Sequence, residues 1–419
     1  MIKTIAGTKD TLPIEIYKWH YLENLVRSVM KEFNYKEIRT PIFEETALFS
    51  RGIGESTDIV SKEMYTFMDR SETSLTLKPE MTASVVRSVL EHSLDKQQQL
   101  NKLYYISPMF RQERPQAGRY RQFHQFGAEA LGASEPSLDA EMIILAYDVL
   151  KKLGLKSLDI KINSLGIPES REYYKTLLKK YLSDKTVHLS DESKKRLDTN
   201  ILRIFDSKDE TDQKIMEDAP LLLEHLDNDS LEKFERVKEL LLLAQVPFEV
   251  DPRLVRGLDY YTNTTFEIIS NSVGSQSALC GGGRYDLLAN HIGDRNIPGV
   301  GFAAGIERIL LACENENCLS INDENPYVYL IRLNKELVKE TYNIGLKFRR
   351  AGISVELDYL NRSVKAQMRE ANRLNTRKAL FVGGDEYENG EVVLKDMDTG
   401  DQEIIKISQL DGIIKKIKG

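Results

Sequence analysis

The segment FRQERPQAGRYRQFHQFGAE, residues 110–129, constrains the fold of this 419-residue chain more than any other. Four arginines, four glutamines, two glutamates and one histidine surround a Pro-Gln-Ala-Gly turn. The flanking sequences LYYISPMF and QFHQFGAEALG are typical of β-strands, so the segment predicts a strand–turn–strand hairpin. Buried strands are rarely this polar, because a polar side chain that loses water must find another partner. The hairpin therefore either faces solvent or lines a polar pocket.

Side chains of the second strand alternate between two faces with a period of two residues. On the polar face, Gln125 offers a donor and an acceptor, and Glu129 accepts hydrogen bonds from a cationic or N–H-bearing ligand. Arg111 on the first strand carries a planar charge suited to phosphate or carboxylate. The alternation alone fits an exposed amphipathic hairpin as well as the floor of a pocket. The polar face comprises Arg121, Phe123, Gln125, Gly127 and Glu129 on one strand and Met109, Arg111 and Glu113 on the other.

Length and composition predict a multidomain globular protein in the cytoplasm. The chain is longer than one core usually organises, and its 41% hydrophobic and 29% charged residues are ordinary for such proteins. No apolar run approaches the roughly 20 residues of a membrane span. The first residues, MIKTIAGTKDTLP, lack the apolar core of a signal peptide. Three cysteines without metal-like spacing indicate reduced thiols and predict no resident metal, and the lack of a long apolar run predicts no membrane partner.

Hydrophobic periodicity divides the chain into two domains. Residues 1–322 begin with an amphipathic helix over residues 14–34 and continue with short strands, helices and the polar hairpin. Within this domain, residues 167–248 are rich in Lys, Glu, Asp and Leu, which predicts a helical insertion. After the polar linker CENENCLSINDENP, residues 326–419 alternate strand and helix, which predicts a small α/β domain with parallel strands.

Charge is distributed unevenly between the two domains. The whole chain is −7 at neutral pH, which argues against nonspecific polyanion binding. From Pro326 onward 17 Lys and Arg residues exceed 14 Asp and Glu residues, so this part is +3 and the rest −10. A mildly basic domain beside an acidic one predicts a localised nucleic-acid contact.

Four basic residues recur at every fourth position in the second domain: Lys365, Arg369, Arg373 and Arg377. This spacing predicts a basic stripe on one face of a helix. The stripe fits phosphate contacts with a nucleic acid, and it also fits a face that is only solvated.

Two later segments place polar groups where hydrophobic residues would be expected. VRGLDYYTNTTFE has Arg256, Tyr260 and Tyr261 in a turn that leads into a strand. VGFAAGIERILL ends a strand in small residues and opens a helix with Glu307 and Arg308. An arginine near a helix N-terminus lies where anions are already favoured. Each segment taken alone is also compatible with a structural role.

Several nucleotide-binding and hydrolase motifs are absent from the sequence, including the P-loop, the dinucleotide-binding glycine loop, H-E-x-x-H and the nucleophile elbow. The run GGGRYD lacks the lysine of a P-loop. If a nucleotide binds, arginines and Mg²⁺ must therefore hold its phosphates.

Together these segments resemble the class II aminoacyl-tRNA synthetases. The helix and strand around Pro41, the FRQE…R hairpin and GFAAGIERIL resemble motifs 1, 2 and 3 of that family. LVRGLDYYTNTTFE and ALCGGGRYD resemble the two signature segments of histidyl-tRNA synthetases. The resemblance runs nearly end to end and includes the C-terminal domain, which is similar to the family's α/β anticodon-binding domain.

The resemblance implies an α+β catalytic core with an antiparallel sheet, a helical insertion near the tRNA acceptor arm, and a homodimer formed through motif 1. It also implies a ligase with two steps. Histidine and ATP form histidyl-adenylate and pyrophosphate, and the 3′ end of the tRNA for histidine then accepts the amino acid.

For the nucleotide, the resemblance implies three catalytic arginines. Arg111 would bind the α-phosphate, and Arg308 would pack on the adenine and reach the γ-phosphate. Arg256 would contact the α-phosphate and the histidine carboxylate, as a cation where related enzymes use a metal. Glu113 would contact the adenine side. Arginines and Mg²⁺ suit this step because negative charge spreads over the phosphorus centre.

For the amino acid, the resemblance implies a pocket built of several segments. The glutamate and threonine of LKPEMTA, with Gln125, would bind the α-ammonium group. Glu129 and the tyrosine pair would bind the imidazole nitrogens, so analogues that leave these groups unpaired would be rejected. The histidine-binding set is Glu80, Met81, Thr82, Arg111, Gln125, Glu129, Arg256, Tyr260 and Tyr261, and the residues facing the tRNA acceptor end are Gln116, Arg119 and Arg121.

One segment departs from the family pattern. The usual R-P-E-G-T is here Lys78-Pro79-Glu80-Met81-Thr82. Lysine keeps the charge, while Met81 replaces a small residue and leaves the backbone shape open.

Three alternatives share parts of this pattern. A regulatory subunit of ATP phosphoribosyltransferase binds histidine on the same core as a sensor, but it typically lacks the anticodon domain and degrades the LDYY segment and the motif arginines. A tRNA-sensing module fused to a kinase would carry kinase signatures, which this sequence lacks. A synthetase for another amino acid is the third alternative, and Glu129 and the paired tyrosines argue against it.

Overall fold

The structure, a computed structural model, describes residues 1–54, 57, 59–116, 118–276, 278–319 and 325–418. The chain divides into two units, Met1–Ile321 and Asn322–Gly419, which have separate sheets. The centre of the expected linker, residues 320–324, and Ala117 of the hairpin turn lie outside the described residues. Within the described ranges, no helix combines the length and the apolar character needed to cross a membrane.

A sheet of eight strands and a sheet of three strands organise the described part of the first unit. Its strands are β1 (Lys36–Glu37), β2 (Phe43–Glu45), β3 (Tyr65–Met68), β4 (Ser74–Leu77), β5 (Asn101–Phe110), β6 (Gln122–Leu131), β7 (Asp159–Ser164), β8 (Glu249–Val250), β9 (Thr262–Ile269), β10 (Ala278–Arg284) and β11 (Gly299–Gly305). The large sheet has the order β1-β5-β6-β11-β10-β9-β7-β8, and the small one has the order β2-β4-β3. The six inner strands of the large sheet pair antiparallel. The predicted antiparallel core is confirmed, with parallel pairs β1–β5 and β7–β8 added at its edges.

Helices cover one face of the large sheet. The helices of the unit are α1 (Pro13–Glu32), α2 (Thr46–Ile53), α3 (Thr82–Glu91), α4 (Leu94–Gln97), α5 (Pro136–Lys152), α6 (Pro168–Leu182), α7 (Asp191–Thr199), α8 (Glu210–Glu217), α9 (Asn228–Leu243), α10 (Leu288–Gly293) and α11 (Ile306–Asn315). Four of them, α1, α5, α9 and α11, bury apolar side chains such as Val29, Ile143, Val237 and Ile309 in one core with Phe126 of the sheet. Burial of this apolar surface fixes which face of each strand is left for a site.

The polar hairpin consists of β5 and β6, and its side chains alternate as predicted. Phe126 and Ala128 enter the core beneath the helices. Phe123 and Gln125 face the other side of the sheet, where they border an open pocket. The hairpin is therefore buried on one face and polar on the other, which explains its mixed composition.

The segment 167–248 is helical as predicted, but its last helix belongs to the sheet. α9 buries Phe234, Val237 and Leu241 in the same core as α5. α6 instead places Tyr174 and Leu178 in a second core on the opposite side of the sheet. The predicted insertion was therefore too long at its C-terminal end, because the amphipathic pattern of α9 serves the main core.

The expected linker starts later than its composition suggested. α11 continues to Asn315, and Cys313 is fully buried in the main core. Cys318 packs against that core as well. The start of the polar run therefore belongs to the first unit.

The second unit has a mixed sheet rather than the predicted parallel one. Its elements are β12 (Val328–Arg332), α12 (Val338–Arg350), β13 (Val355–Leu357), α13 (Val364–Arg373), β14 (Lys378–Val382), α14 (Gly384–Glu388), β15 (Glu391–Asp396), β16 (Gln402–Lys406) and α15 (Leu410–Lys418). In the order β13-β12-β14-β15-β16, only β13, β12 and β14 are parallel. β15 pairs antiparallel with β14, across a connection that holds only the short α14, and β16 pairs antiparallel with β15 through a short connection without a crossover helix.

Candidate active site

A pocket of about 1040 Å³, including its open mouth, lies on the polar face of the large sheet. Its walls come from β5, β6, β9, β10 and β11, from the N-terminal ends of α3 and α11, and from the loop 256–261. Most of the predicted site residues line the pocket: Glu80, Met81, Thr82, Arg111, Glu113, Arg119, Gln125, Arg256, Tyr260, Tyr261 and Arg308.

Arg111 lies at the start of the hairpin loop and is held on two sides. Its Nε donates to the carbonyl oxygen of Pro79 over 2.9 Å, and its Nη1 is 3.6 Å from Oε1 of Glu113. The guanidinium also lies over the ring of Phe123, with 5.2 Å from its central carbon to the ring centroid. These contacts fix the guanidinium plane at the pocket wall, as bidentate recognition of an anion requires.

Arg308 connects the hairpin tip to the far wall of the pocket. It is the third residue of α11, as predicted. Its Nε donates to the carbonyl oxygen of Gly118 over 3.1 Å, and its Nη1 donates to that of Ala278 over 3.0 Å. Burial, together with the neighbouring positive charge of Arg119, lowers the pKa of Arg308. An anion in the pocket would relieve this repulsion.

Arg256 lies flat against strand β10, where the sequence places a run of glycines. A Cβ atom on Gly281 would be 2.1 Å from its Nη2, so any larger residue would displace the guanidinium. Nη1 donates to Oε1 of Glu267 over 2.9 Å, and the guanidinium lies 5.8 Å from the ring centroid of Tyr261. Burial acts to lower the pKa of Arg256, but Tyr261 and Glu267 outweigh it and raise the pKa.

Glu267 and Gly281 are site residues that sequence reasoning missed. They are opposite each other in the register of β9 and β10, where each supports the same guanidinium. The signal for Gly281 was the unexplained glycine run, which forms a strand and no turn. Glu267 ends the segment VRGLDYYTNTTFE, and only strand pairing reveals its role.

Glu80 closes the N-terminus of α3. Its two carboxylate oxygens accept from the backbone N–H groups of Thr82 and Ala83, over 2.7 and 3.0 Å. Burial raises its pKa against the opposing effect of these donors. The carboxylate is therefore fixed by the helix end that it caps.

Glu129 is fully buried directly behind the pocket wall. One carboxylate oxygen accepts from the hydroxyl of Thr82 over 2.8 Å, and the other accepts from the hydroxyl of Tyr285. Burial raises its pKa to about 8. A Cβ on Gly301 would lie 1.8 Å from Oε2, so this position must be glycine for the carboxylate to fit. Tyr285, from GGGRYD, was also missed by sequence reasoning.

Oε1 of Gln125 and the hydroxyl of Tyr105 are among the buried polar atoms of the pocket for which the described residues provide no hydrogen-bond partner. Both side chains line the pocket, as do Tyr260 and Tyr261, whose rings are tilted against each other with centroids 4.7 Å apart. Because leaving a buried polar group unpaired is unfavourable, these atoms mark where a polar ligand would bind.

Lys78 and Met81, the two residues that depart from the family pattern, contact each other. The Lys78 side chain is buried, and Nζ is 3.5 Å from the sulfur of Met81 and 3.4 Å from the hydroxyl of Thr40. Burial lowers its pKa to about 8, so the expected charge is only weakly held. The thioether of Met81 thus partly compensates for the buried ammonium.

Two of the three predicted acceptor-end residues lie outside the pocket walls. Gln116 forms the hairpin tip, where its backbone exchanges hydrogen bonds with Arg119. Arg121 lies beside the N-terminal segment, with its backbone N–H bonded to the carbonyl of Gly7 over 2.7 Å. The pocket therefore receives only Arg119 of this group.

The predicted basic stripe is shorter than its spacing suggested. Lys365, Arg369 and Arg373 are exposed on α13, but the helix ends at Arg373. Arg377 lies beyond it and covers the ring of Tyr327 at 5.5 Å. The fourth position fails because Asn375, with a positive φ of 48°, has already turned the chain.

Comparisons with known proteins agree with this geometry. Residues 7–309 match the family model described as histidyl-tRNA synthetase, and residues 327–417 match the model described as anticodon binding domain. The histidine–tRNA ligase of Halothermothrix orenii is 48% identical over 417 residues, covering 99% of each chain. The apo histidyl-tRNA synthetase structure from S. aureus is 37% identical, with a TM-score of 0.84 and 100% coverage of both chains.

One further solved structure shares the fold. It is described as an ATP phosphoribosyltransferase regulatory subunit/histidyl-tRNA synthetase from Bacillus halodurans C. It is 22% identical with a TM-score of 0.66, over 92% of this chain and 99% of its own. The fold alone therefore does not separate a ligase from a regulatory subunit, and the side chains of the pocket carry that distinction.

Proposed function

The chain belongs to the histidyl-tRNA synthetase family, and from this premise we propose how its pocket divides the work of histidine–tRNA ligation. A histidine–tRNA ligase is an ATP-dependent aminoacyl-tRNA ligase that forms histidyl-adenylate first and histidyl-tRNA second. The observation that carries the residue assignment is the convergence of Arg111, Arg256 and Arg308 on one pocket, beside the buried carboxylate of Glu80.

Arg111 and Arg256 serve the α-phosphate. In the first step a carboxylate oxygen of histidine attacks the α-phosphorus, the bond to the bridging oxygen breaks, and pyrophosphate leaves. Negative charge spreads over the phosphorus centre, and two arginines from opposite walls stabilise it. The contacts of Arg256 with Glu267 and Gly281 support this role, because they hold the guanidinium in place before the substrate arrives.

Arg308 and Glu113 serve the rest of the nucleotide. Arg308 packs on the adenine and reaches the γ-phosphate, and Glu113 contacts the adenine side. Two contacts support these roles. Arg308 forms a hydrogen bond to the hairpin tip, and Glu113 lies 3.3 Å from Arg119 of the same tip. Bound ATP would thereby lie under the hairpin loop.

The histidine end uses the polar atoms that are already oriented. Gln125, with Glu80 and Thr82, binds the α-ammonium group. Glu129 and Tyr261, with Tyr260 beside them, bind the imidazole. Each oxygen of Glu129 accepts one hydroxyl and, in the ionised form, has a second lone pair for an imidazole N–H.

Mg²⁺ fits the nucleotide end. The ion usually takes one or two carboxylates, several waters and substrate phosphates, so it needs no preformed cluster of protein ligands. Among the described residues no group of three or more His, Cys, Asp or Glu side chains is arranged for a metal. Glu267 lines the pocket and would hold the ion, which would neutralise phosphate charge when bound with ATP.

The tRNA contacts both units in this proposal. The hairpin tip, with Gln116, Arg119 and Arg121, meets the acceptor end, and the anticodon-binding unit meets the anticodon. The exposed stripe of α13 supports phosphate contacts there.

A homodimer in the cytoplasm completes the proposal. The small sheet exposes Ile42, Phe43, Phe67 and Met68, with 38 to 61% of each surface accessible, and such a patch favours a second copy as its cover. Light scattering at micromolar concentration tests for the dimer. The three cysteines are free thiols, which fits a reducing compartment.

The test of the function is histidine-dependent exchange of labelled pyrophosphate into ATP, followed by charging of tRNA. Exchange with histidine and with no other amino acid is expected. A protein that binds histidine and exchanges nothing would instead be a histidine sensor.

A further inference from the structure

The loop 256–261 carries three pocket groups but has no regular secondary structure. Arg256, Tyr260 and Tyr261 all project from it. A Cβ on Gly257 would meet nothing within 4 Å, so the loop is loosely packed at that point. The conformation of the loop must therefore be set by contacts from elsewhere in the chain.

Two such contacts come from the helical insertion. Nη1 of Arg171, on α6, donates to the backbone carbonyl of Tyr261 over 2.8 Å. Nδ2 of Asn200, directly after α7, donates to a carboxylate oxygen of Asp259 over 2.7 Å. The two bonds hold the same short loop at neighbouring points, one on its backbone and one on a side chain.

The main body of the unit holds the loop as well. The backbone N–H of Asp259 donates to the carbonyl of Ile53 over 3.2 Å. The insertion therefore fixes the loop on one side, and the end of α2 fixes it on the other.

Arg171 is placed for this task at a cost. Its side chain is partly buried, and burial lowers its pKa, opposed by the nearby charge of Asp259. A buried guanidinium is unfavourable unless its donors are used, and the carbonyl of Tyr261 is such a use.

We propose that Arg171 and Asn200 are positioning residues for the amino-acid pocket, so the helical insertion orients the histidine-binding tyrosines. This inference rests on the proposed function, because it concerns the same pocket. Loss of the bond to the Tyr261 carbonyl lets the tyrosine ring leave Arg256 and opens the histidine end.

The test compares three arginine variants by pyrophosphate exchange. Arg171→Ala is expected to raise the KM for histidine about tenfold, the usual effect of one lost hydrogen bond from a charged donor. The KM for ATP should change less than about threefold, because the nucleotide contacts lie on other walls. Arg171→Lys should recover part of the loss, since an ammonium also donates to a carbonyl.

Arg196→Ala is the matched control. Arg196 lies in the same insertion, and its Nη1 donates to the backbone carbonyl of Arg203 over the same 2.8 Å. If the insertion acts only through its general stability, the two alanine variants would raise the KM for histidine alike. Equal effects, or an unchanged KM in Arg171→Ala, would overturn the proposal.

Asn200→Ala tests the same loop without removing a buried charge, in case Arg171→Ala does not fold. It is expected to raise the KM for histidine, and the double variant should lose less than the product of the single effects, because both bonds hold one loop. The proposal would be contradicted if Asn200→Ala kept the wild-type KM for histidine and the effects of the two substitutions were fully additive in the double variant. Absence of exchange in the wild type would refute the proposed function instead.

Discussion

The two ends of the pocket hold their charged groups in different ways. At the proposed histidine end, Glu129 is fully buried and accepts from Thr82 over 2.8 Å and from Tyr285. At the nucleotide end, Glu113 lies 3.6 Å from Arg111 and 3.3 Å from Arg119, whose side chains keep 21% and 40% of their exposure. Short bonds away from water fix a geometry, whereas long ion pairs near water adapt to what binds.

The difference matches what each end must recognise. Histidine is small, so its discrimination depends on a few polar groups that are costly to leave unpaired. A triphosphate with its metal ion presents charge spread over many oxygens, which several arginines together neutralise. Arg256 lies between the two ends and shares features of both, with a fixed position and a positive charge.

Arg256→Ala should have the largest effect, because it removes the group on which both ends depend. A fall of about a thousandfold in kcat for pyrophosphate exchange is expected, as for loss of one preorganised donor to a developing charge. Arg253→Ala is the matched control, since Arg253 is exposed and donates to the carbonyl of Glu217 over 2.8 Å. An equal fall in kcat in both variants would show that the effect comes from the loop and not from the guanidinium of Arg256.

Glu129→Gln tests the rigid end alone. The amide keeps the shape but replaces one oxygen with an NH2 group that can only donate, so the KM for histidine should rise about a hundredfold. The KM for ATP should stay within about threefold, as measured in the same assay. Glu141→Gln provides the control, because Glu141 also accepts from a tyrosine hydroxyl, that of Tyr35, at 2.8 Å but outside the pocket. A similar rise in both Michaelis constants of Glu129→Gln would contradict the division of the pocket.

The groups predicted from sequence are those whose signal is local. Alternation along β6 identified Gln125 and Glu129, because a strand places every second side chain on one face wherever it lies. The helix start near Arg308 was also predicted from the sequence, because small residues and a change in the period of the hydrophobic pattern mark it. Their assembly into one pocket followed only from the resemblance to a family.

The groups that sequence reasoning missed depend on pairing between distant segments. Glu267 and Gly281 support Arg256 because β9 and β10 are in register, and nothing near either residue signals that contact. Tyr285 reaches Glu129 across 156 positions of the chain. The same limit explains the parallel edges of the large sheet, the antiparallel end of the small domain and the core helix α9, which composition assigned to the insertion.

The burial of Glu129 also predicts a dependence of stability on pH. Its pKa is about 8 in the folded chain against 4.5 for the ordinary side chain, so the folded state binds one more proton between these values. The free energy of unfolding should therefore fall as pH rises from about 4.5 to about 8, at up to about 1.4 kcal/mol per pH unit. Urea unfolding of wild type and Glu129→Gln at pH 5, 6.5 and 8 measures it. As pH rises, the free energy of unfolding of the wild type should fall relative to that of the variant. If the difference between the two free energies is constant with pH, the carboxyl is not buried in solution.

Glu113→Gln should have the smallest effect, because the open end tolerates change. Its ion pairs with Arg111 and Arg119 are long and partly exposed, and such pairs contribute little. The KM for ATP should rise about threefold at low salt and by less at 0.3 M salt, where exposed charges are screened. The KM for histidine should not change. Glu91→Gln, which removes the surface partner of Arg87 on α3, is the control for a general charge effect. If Glu113→Gln changed the KM for histidine as much as Glu129→Gln does, the two ends would act as one rigid site. A loose contact with the nucleotide would then control the selection of the amino acid.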